Sequence, residues 1–358
     1  MNIKRLPLLL VAVLLSSSSI FAFQNEQAKP DTTLIKLMLQ EAYQAEEQGN
    51  VEKAKRLANT ADSLSQRIDF EEGLAYATLR KGTVLAMEQK FDAALAMLNN
   101  GIEKYPGTLA VPDLHVAIGN IQRTLGNCEE SIRSFEEALQ VSDLFKGLKK
   151  EEFKAGVNMN IGGCMEILGD YAGAIEKHLA ALEYAQANAD TSLMALSQMN
   201  IGNVYDEQQD IEKAGYYYER AIENATSINM GRALPGLYNN LALIRDQQER
   251  FEEAENLYLN AIKTQREMSN GTPFVQSIHN LGTLYRKMGE YDKSEEYLRR
   301  GLSLSKKMNI AVGLYYGNIE MGYLFQAREI YETAIQYFEN ARQIASDLEN
   351  DTFLSEVN

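Results

Sequence analysis

The stretch that decides the fold is residues 237–262, LYNNLALIRDQQERFEEAENLYLNAI. It holds three small residues at a fixed spacing, because Ala242 is followed by Ala254 after twelve residues and by Ala261 after nineteen. The same spacing occurs eight times along the chain, and we call its first residues the lattice starts. The lattice starts are Ala42, Gly82, Gly119, Gly162, Gly202, Ala242, Gly282 and Gly322. Most of them are 40 residues apart, which indicates a repeat.

Each repeat contains two segments of helical apolar periodicity separated by a short polar break, and we call the two predicted helices A and B. The residue after each break is apolar and, in most repeats, bulky, and it predicts the start of helix B. These residues are Val51, Phe91, Cys128, Tyr171, Ile211, Phe251, Tyr291 and Tyr331. Small residues let two helix backbones approach closely without strain or a void, so the lattice predicts where A and B cross. One pair cannot bury its apolar face alone. We therefore expect an all-α, right-handed superhelical solenoid of about eight antiparallel helix pairs over residues 33–348.

This pattern resembles a known repeat family. Residues 237–262 and residues 280–302, NLGTLYRKMGEYDKSEEYLRRGL, resemble the tetratricopeptide repeat. That repeat has Leu-Gly, an aromatic residue three positions on, and then Tyr, Ala, a large residue and Ala. The period of 40 rather than 34 is similar to that of a long-helix subgroup found in kinesin light chain, Pins/LGN adaptors and MalT- and Rap-type regulators. A HEAT solenoid has a similar period but lacks this spacing.

The first 22 residues have the features of a secretory signal peptide. Lys4 and Arg5 precede an apolar run that ends at Leu15, and Ala22 provides a small residue for cleavage. We expect cleavage after Ala22, a short linker over 23–32 and a periplasmic or secreted protein. The alternative is an uncleaved anchor, but this apolar run is shorter than the about 20 apolar residues that a bilayer requires. No later apolar run is long enough to span a membrane, so no membrane insertion is expected after cleavage.

The other end of the chain resembles the beginning of a further repeat. Asp351 and Thr352 repeat the Asp190-Thr191 pair that opens helix A of the fifth repeat, which makes residues 349–358 a truncated or frayed ninth helix A. Solenoids normally end in a polar capping helix. Three interpretations are open here: a frayed stub, homo-assembly or partner binding at an uncapped C-terminal face, and a longer gene product.

Composition narrows the classes of partner. The chain has 50 acidic and 35 basic residues and a net charge of −15, which argues against nucleic acid and against anionic membrane surfaces. Two cysteines in an exported chain rule out a disulfide scaffold. Cys128 and Cys164 lie in helices that the repeat makes neighbours, so they are a candidate disulfide, and the alternative is that both are small core residues.

Residues for catalysis are not grouped in the sequence. His115, His178 and His279 lie in different repeats, without companions at metal-ligand spacing. His178 occupies the helix-B position that other repeats fill with a ring, so we interpret it as a packed ring. The chain lacks a glycine-rich phosphate loop and a nucleophile elbow. We therefore predict no enzyme activity, no catalytic residue, no metal and no cofactor.

The feature that points to binding is a column of asparagines. One asparagine stands two residues before the lattice start in four consecutive repeats: Asn160, Asn200, Asn240 and Asn280. Asparagine is a mediocre helix former, so its recurrence within helix A requires a reason. Amides at a regular pitch can hydrogen-bond the main chain of an extended peptide. The resemblance implies this role, which such a column has in the Pins-like and kinesin-light-chain-like relatives. The alternative is that each amide bonds a neighbouring helix.

Other polar residues extend this column. Four residues after the lattice starts, helix A carries charges that place acidic residues in the middle and basic residues at the ends. They are Arg123, Glu166, Asp206, Asp246 and Arg286, with Glu207 and Lys287 beside them. Asn120, Asn203, Asn239 and His279 add polar groups. A ligand with a basic centre would be complementary, and the alternative is ordinary surface charge.

The sequence therefore predicts an exported, non-catalytic scaffold that binds an extended peptide or protein segment in a concave groove. The rival interpretation is the ligand-sensing input domain of a membrane sensor kinase or a transcription regulator.

Overall fold

The computed structural model describes residues 31–268 and 271–347. The predicted signal peptide and ninth helix lie outside these residues. The described residues form 16 α-helices and one 3₁₀ turn, Ser142–Leu144. The helices are α1 Thr32–Glu47, α2 Val51–Arg67, α3 Glu71–Met87, α4 Phe91–Lys104, α5 Ala110–Thr124, α6 Cys128–Gln140, α7 Leu148–Ile167, α8 Tyr171–Ala187, α9 Thr191–Glu207, α10 Ile211–Ser227, α11 Leu234–Gln247, α12 Phe251–Met268, α13 Gly271–Lys287, α14 Tyr291–Lys307, α15 Ala311–Ala327 and α16 Tyr331–Asp347. None of them is both long and apolar enough to cross a bilayer.

The odd-numbered helices are the predicted A helices and the even-numbered ones are the B helices. Every B helix begins at the bulky residue that follows the predicted polar break. A helices pack against their own B helices, as α9 does against α10, and consecutive A helices also contact one another, as α1 and α3 do in the N-terminal part and α13 and α15 do in the C-terminal part. The all-α fold of stacked antiparallel pairs is thus confirmed.

The lattice residues are all buried, as close helix crossings require. The hydroxyl of Ser131 on α6 donates to the carbonyl of the lattice start Gly119 on α5 over 2.7 Å. A side chain at Gly101 would meet Thr78 on α3 and Leu114 on α5. The small residues therefore stand both within a pair and between one pair and the next.

Each glycine at a lattice start faces a large side chain sixteen residues later, on helix B. A Cβ atom at Gly119 would lie 2.6 Å from the ring of Phe135, and one at Gly202 would lie 2.8 Å from the ring of Tyr218. His178 occupies the same position against Gly162 and is fully buried. It is a packed ring, as its position in the repeat indicates.

The described residues divide into two compact units, an N-terminal one that ends at residue 153 and a C-terminal one that begins at residue 154, with the division inside α7. The lattice interval here is 43 residues rather than 40, and the extra chain forms the 3₁₀ turn and the loop before α7. In the N-terminal unit, Phe145 after that turn packs edge-on against Phe153, with ring centroids 4.9 Å apart. The sequence contains no linker that would predict this division.

The turn between A and B has the same geometry in all eight repeats. One residue in each has a positive φ, such as 78° at Gly169 and 60° at Gln209. In the fourth repeat, the N–H of Asp170 bonds the carbonyl of Met165 over 2.9 Å, and the N–H of Gly169 bonds that of Glu166 over 3.0 Å. This pair of bonds closes a helix C-terminus around a left-handed residue.

The turns allow a paired test of backbone strain. We expect Gly169→Ala to lower the free energy of unfolding by about 1 kcal/mol, because an L-residue is strained in the left-handed region. Gln209→Gly, at the equivalent turn, removes such strain and is expected not to lower it. Urea unfolding followed by circular dichroism measures both, and equal losses in the two variants would contradict the prediction.

Candidate functional site

The four asparagines of the predicted column lie one on each A helix of the C-terminal unit. Asn160 is on α7, Asn200 on α9, Asn240 on α11 and Asn280 on α13, and all four are half-buried. Each of them stands two residues before a lattice start, and the lattice start itself faces helix B. We call the surface formed by these residues, together with those one and four residues after the lattice starts, the A face.

Two of the amides connect neighbouring repeats. Nδ2 of Asn240 donates to Oδ1 of Asn203 over 3.3 Å, and Nδ2 of Asn280 donates to Oδ1 of Asn239 over 3.1 Å. Asn203 also accepts from the hydroxyl of Tyr218 over 2.9 Å. At this end of the column the alternative interpretation applies, since these amides hold one A helix to the next.

The other two amides are different. Among the described residues, no protein group hydrogen-bonds the side chains of Asn160 and Asn200, although both are partly exposed on α7 and α9. Each amide offers two N–H donors and a carbonyl acceptor. These two residues therefore present open main-chain-like hydrogen-bonding groups on the A face.

Acidic residues lie beside the open amides. Burial raises the pKa of Glu166, and the nearby carboxylate of Glu207 raises it further. Burial and Glu207 raise the pKa of Asp206 in the same way. Glu207 thus interacts unfavourably with Glu166 and with Asp206, and a cation placed beside these carboxyl groups would lower the pKa of Glu166 and of Asp206.

The basic residues further along the A face are already paired. Arg286 on α13 bonds Glu320 on α15 over 3.1 Å, with its guanidinium over the ring of Tyr323. Lys287 bonds Asp246 on α11 over 2.6 Å. The charge of Asp246 is therefore compensated, and the uncompensated acidic part of the face is the group around Asp206.

The N-terminal unit has its own A face, formed by α1, α3 and α5. Nη2 of Arg123 lies 3.4 Å from Oδ1 of Asn120, so these two predicted residues are together. Beside them is a cavity of about 630 Å³ that contains Arg80 and Glu46, a pair that sequence reasoning missed. The available signal was their register, because Arg80 stands two residues before a lattice start and Glu46 four after one.

The remaining predicted residues are in the core. His279 is buried, and its ring lies against Gly301 and Gly317, so it does not reach out from the A face. Asn239 is also buried and accepts from the hydroxyl of Ser277 over 3.2 Å. Outside the core, Nδ1 of His115 lies 3.1 Å from Oε2 of Glu137.

The two cysteines belong to different units, Cys128 to the N-terminal and Cys164 to the C-terminal one. Both side chains are buried, which is compatible with either interpretation. The disulfide stays a prediction. Across the described parts of the chain, no cluster of three or more His, Cys, Asp or Glu side chains is suited to a metal ion.

Family models of the tetratricopeptide repeat match residues 112–143, 154–227 and 234–307. No curated protein sequence is significantly similar to the chain. Among solved structures, a signal-transduction ATPase with a tetratricopeptide repeat sensor from Pyrococcus horikoshii is similar with a TM-score of 0.70 and 13% identity, over 97% of this chain and 51% of that one.

Two further solved structures are also similar to the chain. The apo quorum sensor NprR from B. thuringiensis has a TM-score of 0.59 and 16% identity, over 87% of this chain and 99% of its own. A Rap protein complexed with Competence and Sporulation Factor has a TM-score of 0.58 and 16% identity, over 91% and 96%. At these identities the likeness concerns the fold.

Proposed function

The chain belongs to the tetratricopeptide repeat family, and we propose that it is an exported, non-catalytic scaffold that binds an extended peptide or protein segment along the A face. The observation that carries this proposal is the pair of open, partly exposed amides at Asn160 and Asn200. Their neighbours Asn240 and Asn280, at the same lattice position, are bonded within the protein.

The spacing of the A helices suits an extended ligand. Packed helices lie about 8–10 Å apart, and an extended chain rises about 3.3 Å per residue, so amides on α7 and α9 match main-chain groups roughly three residues apart. Main-chain groups are common to all sequences, so the amides would supply affinity without choosing side chains.

Selectivity would come from the carboxyl groups of Glu166, Asp206 and Glu207. The partial burial of Glu166 and Asp206, and the repulsion of each by Glu207, favour a ligand with a basic residue opposite them. The pairing of Lys287 with Asp246 supports the same preference, because it leaves the excess negative charge near α7 and α9.

A second candidate function is the input domain of a sensor, in which ligand binding at the A face is passed on to another domain. Two of the similar structures are described as sensors, which favours it at the level of fold. The two proposals share the ligand site and differ in the consequence of binding.

The proposal is tested with the double variant Asn160→Ala/Asn200→Ala. We expect it to weaken binding of peptides, selected from a random linear library against the wild-type protein, by about 2 kcal/mol, roughly thirtyfold in Kd. Because these amides have no protein partner among the described residues, the free energy of unfolding should change by less than about 0.5 kcal/mol. Fluorescence anisotropy and urea unfolding measure the two quantities.

The matched variant is Asn240→Ala/Asn280→Ala, which removes two amides from the same column. It should lower the free energy of unfolding by about 1 kcal/mol, since each amide bonds the preceding A helix. Unchanged affinity in Asn160→Ala/Asn200→Ala, or a stability loss as large as in the matched variant, would contradict the proposal.

A further inference from the structure

The N-terminal unit contains a cavity that the asparagine column does not explain. It has a volume of about 630 Å³, within the range of small-ligand sites, and lies among α1, α3 and α5. Its wall includes Tyr43, Glu46, Glu47, Arg80 and Asp113. Tyr43, Glu46 and Arg80 occupy A-face positions by register, and Glu47 and Asp113 lie beside that face.

The cavity has more negative than positive charge. Three carboxyl groups, those of Glu46, Glu47 and Asp113, share its wall with the single guanidinium of Arg80. Nη1 of Arg80 bonds Oε2 of Glu46 over 2.6 Å. Arg80 therefore compensates Glu46, and Lys149 acts on Asp113 from beyond the cavity wall, so the carboxyl groups still outnumber the cations.

Glu46 provides the second observation. Its side chain is only 6% exposed, and its other oxygen, Oε1, has no hydrogen-bond partner among the described residues. A buried carboxylate oxygen without a partner costs free energy, and a donor entering the cavity would remove that cost. Tyr43 is half-exposed at the cavity, and the guanidinium of Arg80 lies over its ring, 5.1 Å from the centroid. Arg80 is therefore engaged by both Tyr43 and Oε2 of Glu46, while Oε1 of Glu46 is left without a partner among the described residues.

An apolar cavity of about 530 Å³ adjoins this one. The two share Thr83, Met87, Ala117 and Asn120, and the second continues to Phe91 and Ile121. The space thus passes from an acidic end to an apolar end along α3 and α5. A ligand that fits it carries a cationic group next to an apolar one.

We propose that the acidic cavity binds the cationic side chain of a lysine or arginine in the bound segment, and that the adjoining cavity holds an apolar side chain next to it. This inference rests on the proposed function, since it places a second contact of the same kind of ligand on the A face of the N-terminal unit. It assigns a role to Glu46, which the asparagine column does not use.

The titration of Glu46 predicts that binding of a cationic ligand depends on pH. Burial raises the pKa of Glu46 to about 7, against the opposing effect of Arg80. Burial also raises the pKa of Asp113. Glu46 gains negative charge between pH 6 and pH 8, so a cationic ligand should bind more tightly at pH 8 than at pH 6. The charged and titratable groups around them are Tyr43, Glu47, Glu72, Tyr76, Arg80 and Lys149.

The experiment uses the full chain and three labelled hexapeptides, Gly-Ser-Xaa-Leu-Ser-Gly, in which Xaa is arginine, its neutral isostere citrulline, or glutamate. We expect the arginine peptide to bind about tenfold more tightly than the citrulline peptide at pH 8, and the glutamate peptide to bind most weakly. Glu46→Gln should reduce the arginine preference to about twofold and remove most of its pH dependence. If Glu46→Gln lowers the melting temperature, the arginine preference is measured instead in Asp113→Asn, which should also reduce it.

The control is Glu52→Gln, an exposed acid on α2 that changes the net charge equally and should leave the preference unchanged. Equal binding of the arginine and citrulline peptides, or tighter binding of the glutamate peptide through Arg80, overturns the inference. If Asn160→Ala/Asn200→Ala weakens arginine peptides while Glu46→Gln and Asp113→Asn do not, the inference fails and the proposed function stands. If no variant changes any peptide affinity, both fail.

Discussion

Replacing Phe135 with alanine is expected to lower the free energy of unfolding by about 3–5 kcal/mol. The ring of Phe135 is fully buried on α6 and fills the space above the lattice start Gly119. Gly119 cannot fill the lost volume because it has no side chain. Its helix also cannot move in easily, because the Ser131 hydrogen bond holds it in place. Urea unfolding followed by circular dichroism measures the loss.

Glu136→Ala is the matched control for this variant. Glu136 is the next residue on the same helix and is exposed, so its replacement should change the free energy of unfolding by less than about 0.5 kcal/mol. In a stack of repeats each pair contacts only its neighbours, so the unfolding transition of Phe135→Ala should also broaden. A loss below about 1 kcal/mol would show that the ring is not a central packing element.

Replacing His178 with phenylalanine is expected to stabilise the protein, and more strongly at pH 5 than at pH 7. His178 is fully buried, and among the described residues neither of its ring nitrogens has a hydrogen-bond partner. Burial lowers its pKa from 6.5 to about 4. The Gly119–Phe135 pair indicates that a phenylalanine ring fits against a lattice glycine at this position.

The pH dependence arises from proton binding. Between pH 6.5 and about 4 the unfolded chain binds a proton at His178 that the folded chain does not, so the wild type loses stability as the pH falls through this range. At pH 5 this amounts to about 2 kcal/mol, which the variant does not lose. Other titrating groups, including His279, cancel in the difference between variant and wild type. An equal stability difference at pH 5 and pH 7 would show that His178 titrates normally.

The helices were predictable because the repeat is enforced by backbone contact. A lattice start such as Gly202 has to be small wherever two helices cross closely, and the bulky residue after each break begins helix B in all eight repeats. The division inside α7 was not predictable, since the extra chain before it has no linker composition.

The candidate site was predictable in its register but not in its bonding. Asn160 and Asn240 occupy the same lattice position, and only the arrangement of neighbouring side chains distinguishes an open amide from a bonded one. The bond between Arg80 and Glu46 was likewise not predictable. The two residues are 34 positions apart in sequence, and the packing of their helices places Nη1 of Arg80 2.6 Å from Oε2 of Glu46.

The sequence by itself determined the repeat, the helix boundaries between A and B, and the face on which polar residues collect, because each depends on residue size and periodicity. The tertiary structure alone decided which of those polar groups are left open. Asn240 reaches Asn203 and Lys287 reaches Asp246, while Asn160, Asn200 and one oxygen of Glu46 have no such partner among the described residues. The physical reason is that a side-chain hydrogen bond requires placement within a few tenths of an ångström, and this placement depends on how neighbouring helices pack.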